Sequence, residues 1–193
     1  MKNLSQTVEP FRNLKDVEKI KRYLLGKSNS KRDYCIFVVG INVGLRAGDL
    51  VKLRIFDVYD GCKVRNDVTV IESKTKKVRN FALNKSAREA IELYIKTLND
   101  VDLNDYLFVS RKGGHIGVRP LHYIIKSTAR ELGIVGNYGT HSLRKSFSAF
   151  RYQNGVPIEI LQKLLNHASS QTTLRYIGAE REILYDAYNA VNL

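Results

Sequence analysis

Tryptophan is absent from this chain, and its 193 residues hold one methionine, three prolines and two cysteines. Cys35 lies inside the apolar run YCIFVVG and Cys62 follows a turn glycine, so neither a CxxC pair nor a disulfide framework can be read. Both thiols are expected to serve packing alone, which suits a reducing cytosol. Acidic residues are also scarce: 19 Asp and Glu stand against 32 Lys and Arg, a formal net charge of +13. Such a field suits a polyanion rather than an acidic small molecule, although charge alone does not separate DNA, RNA, ribosome and anionic membrane. No apolar run is long enough to span a bilayer, and the opening MKNLSQTVEPFRNLKDVEKI has no apolar signal core, so the expectation is a cytoplasmic protein with no membrane partner. Missing too are the Gly-Lys-Ser/Thr phosphate loop, GxGxxG after a strand, HExxH and GxSxG. The carboxylates are scattered rather than clustered as a two-metal nuclease needs, so phosphoryl chemistry here would rely on the chain's own cations.

What is present is a succession of helical periods interrupted once. After a polar lead-in over 1–12, expected to be loosely ordered, Leu14, Val17, Ile20, Leu24 and Leu25 recur at helical spacing, and Gly26 ends the run. The apolar segment from Tyr34 to Val43 runs into GLRAGD, which puts Arg46 at a helix junction. Between Leu53 and Leu83 the segments IFDVY, KVRNDVTVI and KKVRNFAL are short and rich in branched residues, predicting a three-stranded antiparallel sheet. Helical spacing returns from Ser86 to Leu98, and Pro120 opens a further helix after the glycine-rich RKGGHIGVRP. Helices are then predicted at 142–153, 158–165, 171–176 and 180–191. The fold class is therefore α+β, mainly helical with one small sheet and no βαβ repeat, in a single domain over 1–193.

The chemistry concentrates in GTHSLRKSFSAFRYQNGVPIEILQKLLNHASSQTTLRYIG. His141 and Arg144, three apart near a helix start, can face one ligand, and the helix N-terminus adds its own preference for an anion. His167 ends the helix EILQKLLN, and Tyr176 follows nine positions later. Taken singly, each has a structural explanation: Arg46 as a cap or ion-pair partner, His141 and His167 as helix-end residues, Tyr176 as a rim aromatic. Tyr185 and Tyr188 fall on a packing pattern with Ile183, Leu184, Ala187 and Val191. His115 and His122 receive no role.

Taken together, GLRAGDL, ESKTKKVRNFAL, HSLRKSFSAF, LQKLLNHAS and TLRYIG resemble, in order, the catalytic segments of the tyrosine recombinase (phage integrase) family over roughly Leu14 to Val191. The resemblance implies a catalytic set of Arg46, Lys74, His141, Arg144 and His167 with Tyr176 as nucleophile, working on double-stranded DNA attachment sites without metal, ATP or other cofactor. Three departures stand out: Asn166 where a glycine is common, Asp49 where a longer Glu is the commoner acidic neighbour of the first arginine, and Lys76 and Lys77 crowding Lys74. Two forked guanidiniums can clamp a phosphodiester and the extra charge of its displacement transition state. A phenol with an ordinary pKa of about 10 needs a base, for which His141 is the better-placed candidate, and a lysine suits protonation of the departing 5′-oxygen.

The resemblance further implies a 3′-phosphotyrosine intermediate, a tetramer on DNA, an accessory DNA-bending protein, and a C-terminal helix over 180–193 that docks on a neighbouring protomer or folds back on its own. The residues before Arg46 read as part of the catalytic domain, so no separate N-terminal core-binding domain is expected. Such a chain is either a piece of a longer integrase or a compact recombinase that inverts short segments. Two competing functions remain: a non-catalytic DNA-binding module that regulates a full-length recombinase, and a related strand-relaxing topoisomerase.

Overall fold

Apolar residues on every side of one helix set the architecture. The computed structural model describes residues 8–28, 30–179, 185 and 188–190. Helix α1 is Leu14–Gly26 and α2 is Lys31–Val43; from Cys35 to Ile41 every α2 residue is buried. A helix apolar all round has to lie in the interior. It packs against α1, against α5 (Lys85–Ile95) and against α7 (Thr140–Gln153). It ends at Gly44 (φ 62°), where a Cβ would come within 2.5 Å of the Phe147 ring. A left-handed C-cap and the close approach of α7 thus both require glycine here. The chain re-enters helix as the single turn α3 (Ala47–Leu50), with Arg46 as its extended N-cap residue.

The segment IFDVY departs from the expected strand. Ile55–Val58 forms a one-turn helix, α4, because Asp57 Oδ2 accepts the Arg54 N–H at 2.8 Å and closes the turn. The N–H groups of Ile55 and Phe56 are taken by the carbonyls of Asp105 and Leu103 at 2.9 and 2.8 Å, which leaves no ladder to join. Tyr59 meets Val64 only as an isolated bridge. Among the described residues the sheet is therefore two-stranded: β1 (Asp67–Ile71) and β2 (Val78–Ala82) pair antiparallel with Asp67 opposite Ala82 and Ile71 opposite Val78. Val68 alone is fully buried from β1 and Arg79 from β2, so the hairpin meets the helical body by one edge of its face.

The second half is helical as expected: α6 (Val118–Glu131), α7, α8 (Ile158–Leu165) and α9 (Ser170–Ile177). The lead-in is less loose than its polarity implied, because Phe11 is 1% exposed. Its ring stacks on Tyr138 with centroids 4.4 Å apart, and its N–H donates to Ser146 Oγ at 2.7 Å. One buried aromatic outweighs several polar neighbours in fixing a segment. Residues 1–7 lie outside the described residues, as does most of the helix expected over 180–193. Tyr185 and Tyr188 are 72% and 86% exposed, so within the chain neither has the packing role its spacing implied.

Candidate active site

The α2–α3 junction, the β1–β2 hairpin, the first turns of α7, and the α8–α9 turn meet around three arginines. Arg46 Nη1 lies 2.7 Å from Glu72 Oε2, the carboxylate of a residue with 0% side-chain exposure. Arg79, 7% exposed, reaches Glu72 Oε1 at 3.3 Å with Nη1 and the Val43 and Gly44 carbonyls at 3.0 and 3.3 Å with Nη2. Asp49 does not take the part expected beside Arg46. Its shorter side chain accepts the Ser73 N–H at 2.8 Å instead, tying α3 to the hairpin turn, while its buried Oδ2 has no hydrogen-bond partner. Burial would raise the Glu72 carboxyl, but hydrogen bonds from Thr75, Arg46 and Asn166 prevail and hold its pKa down at about 2.

Arg144 is 3% exposed and bound only through neutral groups. Nη1 donates to the Gly44 carbonyl at 2.6 Å and Nη2 to the Leu165 carbonyl, so one guanidinium joins the C-termini of α2 and α8. Burial and the neighbouring Arg79 lower its pKa to about 10, which leaves it protonated at neutral pH. A buried cation without a carboxylate partner is poised for an anion.

His167 follows Asn166, the left-handed C-cap of α8 (φ 55°). Its N–H donates to the Gln162 carbonyl at 3.0 Å, and Gln162 Nε2 returns to the His167 carbonyl at 3.3 Å, which clamps the turn. His167 Nδ1 lies 3.1 Å from Thr173 Oγ1, whose own hydroxyl points at the Ser169 carbonyl at 3.3 Å. That network assigns the ring proton to Nδ1 and leaves the Nε2 lone pair available. Burial, with Arg144 and Arg46, depresses the His167 pKa to about 4.

Tyr176 sits on α9 with its ring edge-on to His167, centroids 5.2 Å apart at 78°. Its hydroxyl is buried and faces the Arg144 guanidinium without a hydrogen bond of standard geometry. Burial raises the phenol pKa, and the charges of Arg144 and Arg46 pull it partway back. Lys145 Nζ stands 5.4 Å over the same ring. Arg12 caps α9 by donating from Nη2 to the Ile177 carbonyl at 3.0 Å, so the N-terminal segment helps to place the tyrosine.

The geometry thus brings Arg46, Arg144, His167 and Tyr176 to one place. His141 is on the first turn of α7, exposed, with its pKa lowered by desolvation and then by Arg144, Lys145 and Arg46; no hydrogen bond joins it to Tyr176. Lys74 stands exposed on the hairpin turn, with no ion pair or hydrogen bond among the described residues. Sequence reasoning missed Glu72, Arg79, Lys145 and Arg12. Only Glu72 carried a usable signal, as the one acidic residue of the cationic stretch ESKTKKVR. Among the described residues no cluster of three His, Cys, Asp or Glu side chains could hold a metal ion, and no helix is long and apolar enough to cross a membrane.

The phage integrase family profile matches residues 12–182. The chain is 37% identical over 182 residues to the "Probable integrase/recombinase YoeC" of Bacillus subtilis, covering 94% of this chain and 95% of that one. It is 31% identical over 163 residues to the tyrosine recombinase XerC of Caldanaerobacter subterraneus, covering 82% of this chain but 44% of XerC. Among solved structures, the XerA recombinase superposes with a TM-score of 0.76 at 25% identity, over 98% of this chain and 66% of XerA. XerH, bound to palindromic difH substrate in a post-cleavage complex, shares the fold with a TM-score of 0.73 at 22% identity, over 97% of this chain and 55% of XerH. The chain spans nearly all of YoeC and about half to two thirds of the other three. With a family match over most of its length and a 37% identical relative covered almost end to end, the chain belongs to the phage integrase, or tyrosine recombinase, family.

Proposed function

We propose that this protein cleaves and rejoins DNA strands at specific sites through a 3′-phosphotyrosine at Tyr176. The observation that carries the reading is the placing of Arg144, a buried cation with no carboxylate partner, against the buried Tyr176 hydroxyl. An incoming phosphodiester supplies what both lack: anionic oxygens for the guanidinium and an electrophilic phosphorus for the phenol.

In the reaction, the Tyr176 Oη–P bond forms as the P–O5′ bond breaks. Arg46 and Arg144 bind the non-bridging oxygens, where charge accumulates. The phenol proton goes to His141, neutral at pH 7 because desolvation and nearby cations lower its pKa. Lys74, its side chain exposed on the hairpin turn, protonates the leaving 5′-oxygen. His167 hydrogen-bonds the phosphate once protonated by the anion's approach, since its free pKa of about 4 leaves it neutral beforehand. The liberated 5′-hydroxyl then attacks a phosphotyrosine on another strand and restores a phosphodiester, so no bond energy is lost and no external energy source is consumed. Integration, excision and inversion all use this step. A tetramer on two attachment sites, with an accessory DNA-bending protein, is the assembly it calls for, in the cytoplasm where the DNA is.

A duplex selected from a random-sequence pool by the protein, then nicked near its centre, provides the test. The expected product, without metal or ATP, is a denaturation-resistant protein–DNA complex on the 3′ side of the break, absent with Tyr176→Phe and present with Tyr185→Phe. Binding without any covalent complex would favour a DNA-binding module that regulates a longer recombinase.

A further inference from the structure

We propose that Glu72 is a positioning residue that sets Arg46, the turn carrying Lys74 and the cap before His167 as one unit. The inference rests on the strand-transfer reading and concerns how that site is held. Glu72 closes the hairpin with its backbone: its N–H donates to the Lys77 carbonyl at 3.0 Å, and its own carbonyl accepts the Lys76 N–H at 2.9 Å. The side chain then turns inward to 0% exposure.

Its two oxygens meet four groups from four segments. Oε2 lies 2.7 Å from Arg46 Nη1 as an ion pair and accepts from Thr75 Oγ1 at 2.7 Å and Asn166 Nδ2 at 3.2 Å, while Oε1 accepts from Arg79 Nη1 at 3.3 Å. Thr75 neighbours Lys74 and Asn166 neighbours His167, so three of the four spokes end on or beside a candidate catalytic group, while the fourth, Arg79, ties Glu72 to the carbonyls at the end of α2. Asn166 is moreover in the left-handed conformation, so its carboxamide bond to Glu72 fixes the turn from which His167 projects.

Two guanidiniums and two neutral donors account for both oxygens, which is what a fully buried carboxylate requires. Without it, Arg46 would be free to rotate, and the hairpin turn and α8 cap would lose their shared anchor. Catalytic groups have to sit within about 0.5 Å of the productive geometry.

Glu72→Gln separates positioning from electrostatics, because it keeps the size and removes one negative charge from an anion-binding site. If only charge mattered, the variant would bind DNA more tightly and cleave as fast or faster. Positioning predicts that affinity for the selected duplex stays equal or tightens while the single-turnover rate of covalent complex formation falls about 100-fold, the loss expected of a misplacement near 1 Å. Thr75→Val removes a single spoke and is expected to slow the same step about tenfold at unchanged affinity, with one bond rather than a charge lost. It serves where the Gln variant does not fold, as judged by thermal unfolding.

A readout without DNA stands beside these: the Arg46 side-chain N–H resonances should show a guanidinium held against rotation in the parent. A folded Glu72→Gln that cleaves within threefold of the parent overturns the proposal, as does parallel loss of binding and cleavage. A freely rotating Arg46 guanidinium in the parent does so as well. Failure of the parent to form a covalent complex with any duplex would sink the strand-transfer reading instead, leaving the Arg46 resonances to decide Glu72.

Discussion

Arg144→Lys should separate catalysis from stability at a single buried position. The guanidinium spans two carbonyls, Gly44 and Leu165, and an ammonium can reach one of them. With the ammonium on the Gly44 carbonyl, which Arg79 Nη2 also approaches at 3.3 Å, the Leu165 carbonyl is left without its donor. One lost charge-assisted hydrogen bond at a buried carbonyl costs about 1.5–3 kcal/mol. The charge itself stays, so the larger penalty of an emptied cationic site does not arise. In the reaction, the fork that matches two phosphate oxygens is gone, and removing one such donor costs about 100- to 1,000-fold in rate. The measurement is urea unfolding alongside the single-turnover rate of covalent complex formation, taken well below the unfolding midpoint so that the folded fraction does not limit the rate. A Lys variant destabilised as calculated but cleaving within about threefold of the parent would show that Arg144 holds helix ends and does not stabilise the phosphoryl transition state.

Tyr176→Phe removes a buried hydroxyl that faces Arg144 without a hydrogen bond of standard geometry, so the variant should lose the covalent complex and yet stay within about 1 kcal/mol of the parent in urea unfolding. Gly44→Ala combines φ 62° with a Cβ 2.5 Å from the Phe147 ring, and a loss of about 2–4 kcal/mol in thermal or urea unfolding is expected; a change under about 0.5 kcal/mol would contradict the tight crossing of α2 and α7. Acid should weaken the fold through two groups. His167 has its pKa lowered to about 4, so the unfolded chain binds more protons between about 6.5 and 4, and stability should fall as pH falls through that window. Glu72, depressed to about 2, extends the fall below about 4.3, and replacing it by Gln should flatten that lower limb of the urea-midpoint profile.

Much of the fold was legible because helices declare themselves locally. The spacing over Asn13 to Leu25, the unbroken apolar α2 and the four later helices all follow from a 3.6-residue period or a fully buried run, and each lies close to its expected place. Short elements were less legible. IFDVY has the composition of a strand, yet the carboxylate of Asp57 and the distant carbonyls of Leu103 and Asp105 make it a helical turn. Phe11 looked like part of a polar lead-in because the Tyr138 ring it stacks on is far away in the chain.

The candidate site divides along the same line. The order and spacing of Arg46, Lys74, His141, Arg144, His167 and Tyr176 are properties of the chain alone, and through the family resemblance they pointed to strand transfer and to Tyr176 as the residue to test. Which carboxylate holds Arg46 was decided in three dimensions: Asp49 is three positions away along the chain, but its side chain turns to the Ser73 N–H, and Glu72 arrives from the hairpin. The electrostatic state of the site was decided there as well, since a depressed His167 and a buried Arg144 without a carboxylate partner depend on desolvation and on charges brought together by folding. Residue identity and local period are written in the chain, whereas burial and the partner of a buried charge exist only once distant segments have packed.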